Sequence, residues 1–89
     1  MTTNDTESDL GYDAERVDQA ILALLYLTSF KEYEGNRAWK GHDWDALSRL
    51  HEKGYIDNPV GKAKSVSFSA EGFKQSRLLF EKLFGKSDA

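Results

Sequence analysis

Cysteine is absent from the chain, which removes a disulfide framework, a thiolate metal site and cysteine-based catalysis together. Stability must then come from packing or from a partner subunit. Long apolar runs are missing too: the longest uncharged one, Ala20 to Leu27, is far too short to span a bilayer. The N-terminal stretch MTTNDTESDLGYD has neither the basic start nor the apolar segment of a signal peptide. A cytoplasmic protein with no membrane association is expected. A strong basic excess is also lacking, since 12 Lys and Arg face 15 Asp and Glu for a formal net charge of -3. A dedicated nucleic-acid binder ordinarily carries more positive charge than this.

The charge that is present is unevenly spread. Residues 1–34 hold eight acidic side chains against Arg16 and Lys31, whereas residues 35–66 hold six basic ones against four acidic. The 89 residues support one domain, burying roughly 60–65% of the surface that the unfolded chain exposes. Residues 1–11 are polar, acidic and poor in large apolar side chains, so they are expected to form a disordered acidic tail. The domain is expected over residues 12–84, followed by a C-terminal tail over 85–89.

Val17, Ala20, Ile21, Leu24 and Leu25 recur at helical spacing behind Asp13, Glu15 and Asp18, predicting a first helix over residues 13–30. Leu22, Tyr26 and Phe30 form a second apolar stripe on it. A second stripe implies a buried central helix or, the reading preferred for so small a chain, a subunit contact. Residues 31–42, with Gly35, Gly41 and no sustained period, read as a connection in which Trp39 plugs the core. Asp43 N-caps the next helix, which carries Trp44, Leu47, Leu50 and His51 on one face and stops at Gly54 in a Schellman motif with Tyr55 over Leu50. Tyr55 and Ile56, the turn DNPVGKA and the alternating KSVSF predict a two-stranded hairpin. Ser69 then N-caps a last helix over residues 70–84, with Phe73, Phe80 and Phe84 along one stripe and Leu79 and Leu83 along another.

The succession of EKGYI (Glu52 to Ile56), the hairpin strand KSVSF (Lys64 to Phe68) and FSAEG (Phe68 to Gly72) resembles a winged-helix domain. Bacterial multiple-antibiotic-resistance and phenolic-acid regulators are the similar proteins, over about residues 43–84. In them a recognition helix, a two-stranded wing and a helix that often helps dimerisation follow one another. More narrowly, RAWKGHDWDALSRLHEKGYI with DNPVGKAKSV resembles a family of small bacterial proteins grouped as a domain of unknown function. The implied fold is α+β, mostly α: a reduced winged-helix-like domain of three main helices and a two-stranded hairpin. The segment KEYEGNRAWKG stands where a helix-turn-helix has its supporting helix, which is a departure from the pattern.

Candidate nucleic-acid contacts are Lys62 and Lys64 on the wing, extended by Arg37, Lys40 and Arg49 if the fold brings them close. Against that reading, Asp43 and Asp45 at the start of the helix would face a polyanion, and Asp45 with Arg49 has the spacing of an ordinary helical ion pair. Candidate dimer residues are Leu22, Tyr26, Phe30, Leu79 and Leu83. Trp39, Trp44 and Tyr55 form an aromatic set, either packed in the core or lining a groove. His42 and His51 are not placed to converge on a metal ion, and VGKAKS lacks the spacing of a phosphate-binding lysine loop. No nucleophile, base and orienting group are readable together, so neither catalysis nor a cofactor is expected. The function expected is a non-catalytic interaction or regulatory module, homodimeric and with a protein partner. The alternative is a DNA-binding regulator using the wing and the helix over residues 43–53.

Overall fold

In the computed structural model, which describes residues 11–32 and 35–86, Asp13 opens the first helix by accepting from the backbone N–H groups of Glu15 and Arg16 at 3.0 and 3.3 Å. Helix α1 spans Ala14–Leu27 and buries Ile21, Leu22 and Leu25. It ends three residues earlier than its apolar pattern suggests. The reason is local: the Thr28 hydroxyl donates to the Leu24 and Leu25 carbonyls and that of Ser29 to Tyr26, so side chains occupy carbonyls that a further turn would have used. The chain leaves as strand β1, Ser29–Glu32, and Phe30 lies on this strand instead of on the helix.

Strand β2, Gly35–Trp39, occupies the middle of the segment read from sequence as a connection. It is central in a three-stranded antiparallel sheet of order β1-β2-β3, where β3 is Ser65–Ser67. The register sets Ala38 opposite Val66, and both are buried on the face that meets the helices. Phe30, Arg37 and Trp39 lie on the opposite face, because side chains alternate along a strand. The expected pairing of Tyr55 and Ile56 with residues 64–68 shrinks to one bridge, Ile56 to Phe68. Strand β3 pairs instead with β2, so the two-stranded hairpin becomes the end of a three-stranded sheet.

Helix α2, Trp44–Glu52, follows the Asp43 cap, whose carboxylate accepts from Ala46 N–H at 3.1 Å, and buries Ala46, Leu47 and Leu50. It closes in the Schellman arrangement read from sequence. Gly54 adopts a φ of 81° and donates to the His51 carbonyl, while Tyr55 donates to that of Leu50. Helix α3, Ala70–Phe84, packs along α1, with Tyr26 5.5 Å from each of Phe73 and Phe80 between ring centroids. The Ser69 hydroxyl accepts from Gly72 N–H and donates to the Gly54 carbonyl at 2.6 Å, so one side chain joins the stop of α2 to the start of α3.

Among the described residues the architecture is therefore α+β and mostly helical, with three helices and a three-stranded sheet, β2 packing against α1. Residues 1–10 of the expected acidic tail and residues 87–89 of the expected C-terminal tail lie outside the described residues.

Candidate functional site

The two tryptophans depart most from expectation. Trp39, at the end of β2, is 55% exposed, and Trp44, in the first turn of α2, is 57% exposed. Neither plugs the core. Ala38 and the aliphatic residues of α1 and α2 fill that space, and strand alternation turns Trp39 outward. Its ring lies against Phe30 with centroids 5.1 Å apart, so Phe30 supports it from the neighbouring strand.

Both tryptophans line one open concavity of about 450 Å³. Lys40, Lys62 and Lys64 line it as well, and the rest of its wall is small: Gly41, Gly61 and Ala63. Lys40 organises the place. Its Nζ donates to the carbonyls of Pro59 at 2.6 Å and Gly61 at 3.2 Å, lies 5.7 Å from the Trp44 ring centroid, and its backbone N–H donates to Lys64 O. One lysine thus ties the 57–64 loop to the start of α2, with a cation–π contact added. Buried Pro59 and the Asx turn from Asn58 to Val60 N–H stiffen the same loop. Lys62 and Lys64 extend from it and are exposed.

The five basic residues expected on one patch divide. Lys40, Lys62 and Lys64 come together, and the two arginines serve the scaffold. Arg37 donates to the Ser65 hydroxyl at 2.8 Å and the Ser65 carbonyl at 2.9 Å, with Glu32 3.9 Å away. Arg49 forms a two-pronged pair with Asp18 of α1 at 2.7 and 2.8 Å, and Lys53 approaches the same carboxylate at 3.5 Å. Asp18 is only 1% exposed. The partner of Arg49 is therefore a buried acid 31 positions away, in place of the expected Asp45. The hydrogen bonds to Asp18 are the main cause that raises the Arg49 pKa above its usual value. Sequence spacing held no sign of this pair.

The proposed dimer residues also separate. Leu22 is buried in the chain's own core and Leu79 packs against it, while Tyr26 of α1 packs against α3 and Phe30 supports Trp39. Only Leu83, 45% exposed, keeps a large free surface, beside the exposed Phe84. Those two residues line a surface hollow of about 500 Å³ with Ala20, Arg16 and Lys82. The second stripe of α1 is thus spent largely within the chain. Tyr55 lies away from the tryptophans, in a cleft of about 140 Å³ beside Asp18 and Lys53.

Burial lowers the His42 pKa from its usual value, while His51 points away and donates to the Ile56 carbonyl at 3.0 Å. Among the described residues no group of three or more His, Cys, Asp or Glu is placed to hold a metal ion, and no helix is long and apolar enough to cross a membrane.

The elements from the Asp13 cap to the end of α3 correspond to a known family. The chain belongs to the family described as Domain of unknown function (DUF6429), which matches residues 13–86. A protein of Sinorhizobium fredii (strain NBRC 101917 / NGR234), described as Uncharacterized protein y4hR, is 47% identical over 72 residues, covering 81% of this chain and 93% of that protein. The small bacterial family read from the RAWKGHDWDALSRLHEKGYI stretch is the one found. No solved structure matches.

Proposed function

We propose that the protein is a non-catalytic interaction or regulatory module on a reduced winged-helix-like scaffold, taking an anionic partner on its Trp39–Trp44 face. The observation that carries this reading is the shared exposure of the chain's two tryptophans around one lysine-lined hollow. Leaving an indole in water forgoes about 2–3 kcal/mol of burial, and clustered exposed aromatics are the composition of contact surfaces. The winged-helix part rests on the order of α2, the lysine loop, β3 and α3, with β1 and β2 standing where a supporting helix would be. Dimerisation through α1 and α3 is part of the same reading and rests on Leu83 and Phe84.

Tryptophan emission tests it, because Trp39 and Trp44 are the only two sources. The chain is titrated at low salt with polyglutamate, a single-stranded oligonucleotide and a DNA duplex. Quenching or a blue shift with any one of them, reversed by salt, supports the module. No response to all three sinks it.

The second reading, a duplex-DNA regulator, draws on Lys62 and Lys64 in the wing position. The engagement of Arg37 and Arg49 and the acids Asp43 and Asp45 at the start of α2 weigh against it. A duplex bound more tightly than the single strand, through both wings of a dimer, would favour it.

A further inference from the structure

Resting on that reading of the Trp39–Trp44 face, we infer that its partner is single-stranded nucleic acid, held by base stacking on the two indoles with phosphates on Lys62 and Lys64. Charge sets the sign of the ligand: every charged side chain lining the concavity is a lysine. The acids on neighbouring elements are Asp43, engaged as the α2 cap, Asp45, and Asp57 of the loop, which accepts from Ser67 N–H. Lysine ammonium groups act as point charges on phosphate, and the guanidinium forks of Arg37 and Arg49, which suit phosphate and carboxylate alike, are committed elsewhere. The cations left free here fit phosphate.

Ring geometry sets the rest. Trp39 is backed by Phe30 at 5.1 Å and Trp44 carries Lys40 at 5.7 Å, so each indole is steadied by one neighbour while more than half of its residue stays open to solvent. Steadied, exposed indoles are stacking platforms for any unpaired base, and a positive groove beside them tracks the backbone. A paired base shows only its edge, so a duplex cannot use them. The concavity, about 450 Å³, falls in the range of small-ligand pockets, but it is open, so a strand can enter and leave. A folded protein partner ordinarily needs roughly 800 Å² on each side, more than this hollow offers.

The test is fluorescence anisotropy with end-labelled oligo-dT and oligo-U of eight nucleotides, the matching duplex, and an unstructured peptide of alternating Glu and Phe. Binding of the single strands is expected, with tryptophan quenching and a salt slope of about -1.4 for two phosphate contacts. Trp39→Leu and Trp44→Leu are each expected to weaken it by about ten-fold or more, with Phe at either position intermediate. Lys62→Gln is expected to make the slope shallower by about 0.7. Circular dichroism melting checks that the variants fold, and both tryptophans are exposed enough for that. Tighter binding of the duplex, or single-strand binding indifferent to both tryptophans, overturns the inference. Binding of the acidic peptide without either oligonucleotide overturns it too but leaves the interaction module standing, whereas silence from all probes removes both.

Discussion

Asp18 and Arg49 are chemically ordinary residues whose meaning comes from where the fold puts them. A carboxylate 1% exposed is tolerable because a guanidinium meets it with two hydrogen bonds and Lys53 adds a second positive group. Removing the cation therefore costs more than removing the charge on the acid. Arg49→Met is expected to lower stability by about 3 kcal/mol, because it leaves a buried charge short of its partner. Asp18→Asn, which leaves a cation that reaches solvent, is expected to cost less. Urea unfolding of both variants checks the order. His42 supplies a pH dependence. Burial lowers its pKa in the folded state, so the unfolded chain binds the proton more readily. Its contribution is fully present above the ordinary histidine value of about 6.5 and is lost as pH falls from there through the lower folded value. His42→Gln is expected to flatten the change in urea midpoint between about pH 7.5 and pH 5 relative to the parent chain.

Where elements meet, backbone atoms approach closely and small residues become obligatory. Gly72 lies in the first turn of α3 against the Tyr55 backbone, and a β-carbon there would overlap the Tyr55 carbonyl. Alanine is the better helix former by about 1 kcal/mol, yet Gly72→Ala is expected to destabilise by about 2 kcal/mol net, since the obstacle is backbone. Ser69→Ala removes both the cap on Gly72 N–H and the bond to Gly54 O, for an expected loss of about 1–2 kcal/mol. Thermal melts are expected to show a fall of several degrees for each. The caps and stops of these helices were legible in the sequence because they are local chemistry: Asp43, Gly54 and Ser69 act within a few residues of themselves. The GNRAW strand was not, as its single buried residue gives no alternation and its pairing depends on β1 and β3.

Taken whole, the molecule sets its lysine concavity on the β3 and 57–64 side and leaves Leu83 and Phe84 exposed near the end of α3. These are separate surfaces, so partner binding and self-association can be tested apart. Sedimentation equilibrium at micromolar concentration is expected to give twice the 10.1 kDa of the chain, with Leu83→Lys shifting it toward a single chain. A single chain for the parent protein would remove the subunit role assigned to α1 and α3. The shift in that role is already visible in Leu22, Tyr26 and Leu79, whose apolar surface is used between α1 and α3 of one chain.

What the sequence by itself determined is the set of local decisions: three helical stretches, the capping residues, the Gly54 stop and the apolar residues of α1 and α2. Each follows from spacing or from a side chain bonding its own backbone. Tertiary structure alone decided which residues those elements bring together. Residues 31 positions apart became the Asp18–Arg49 pair, a connection became the central strand, and strand alternation sent Trp39 outward to share a lysine-lined hollow with Trp44. The physical reason is that burial and pairing between distant segments depend on the sheet's register, which composition and periodicity in one segment do not contain.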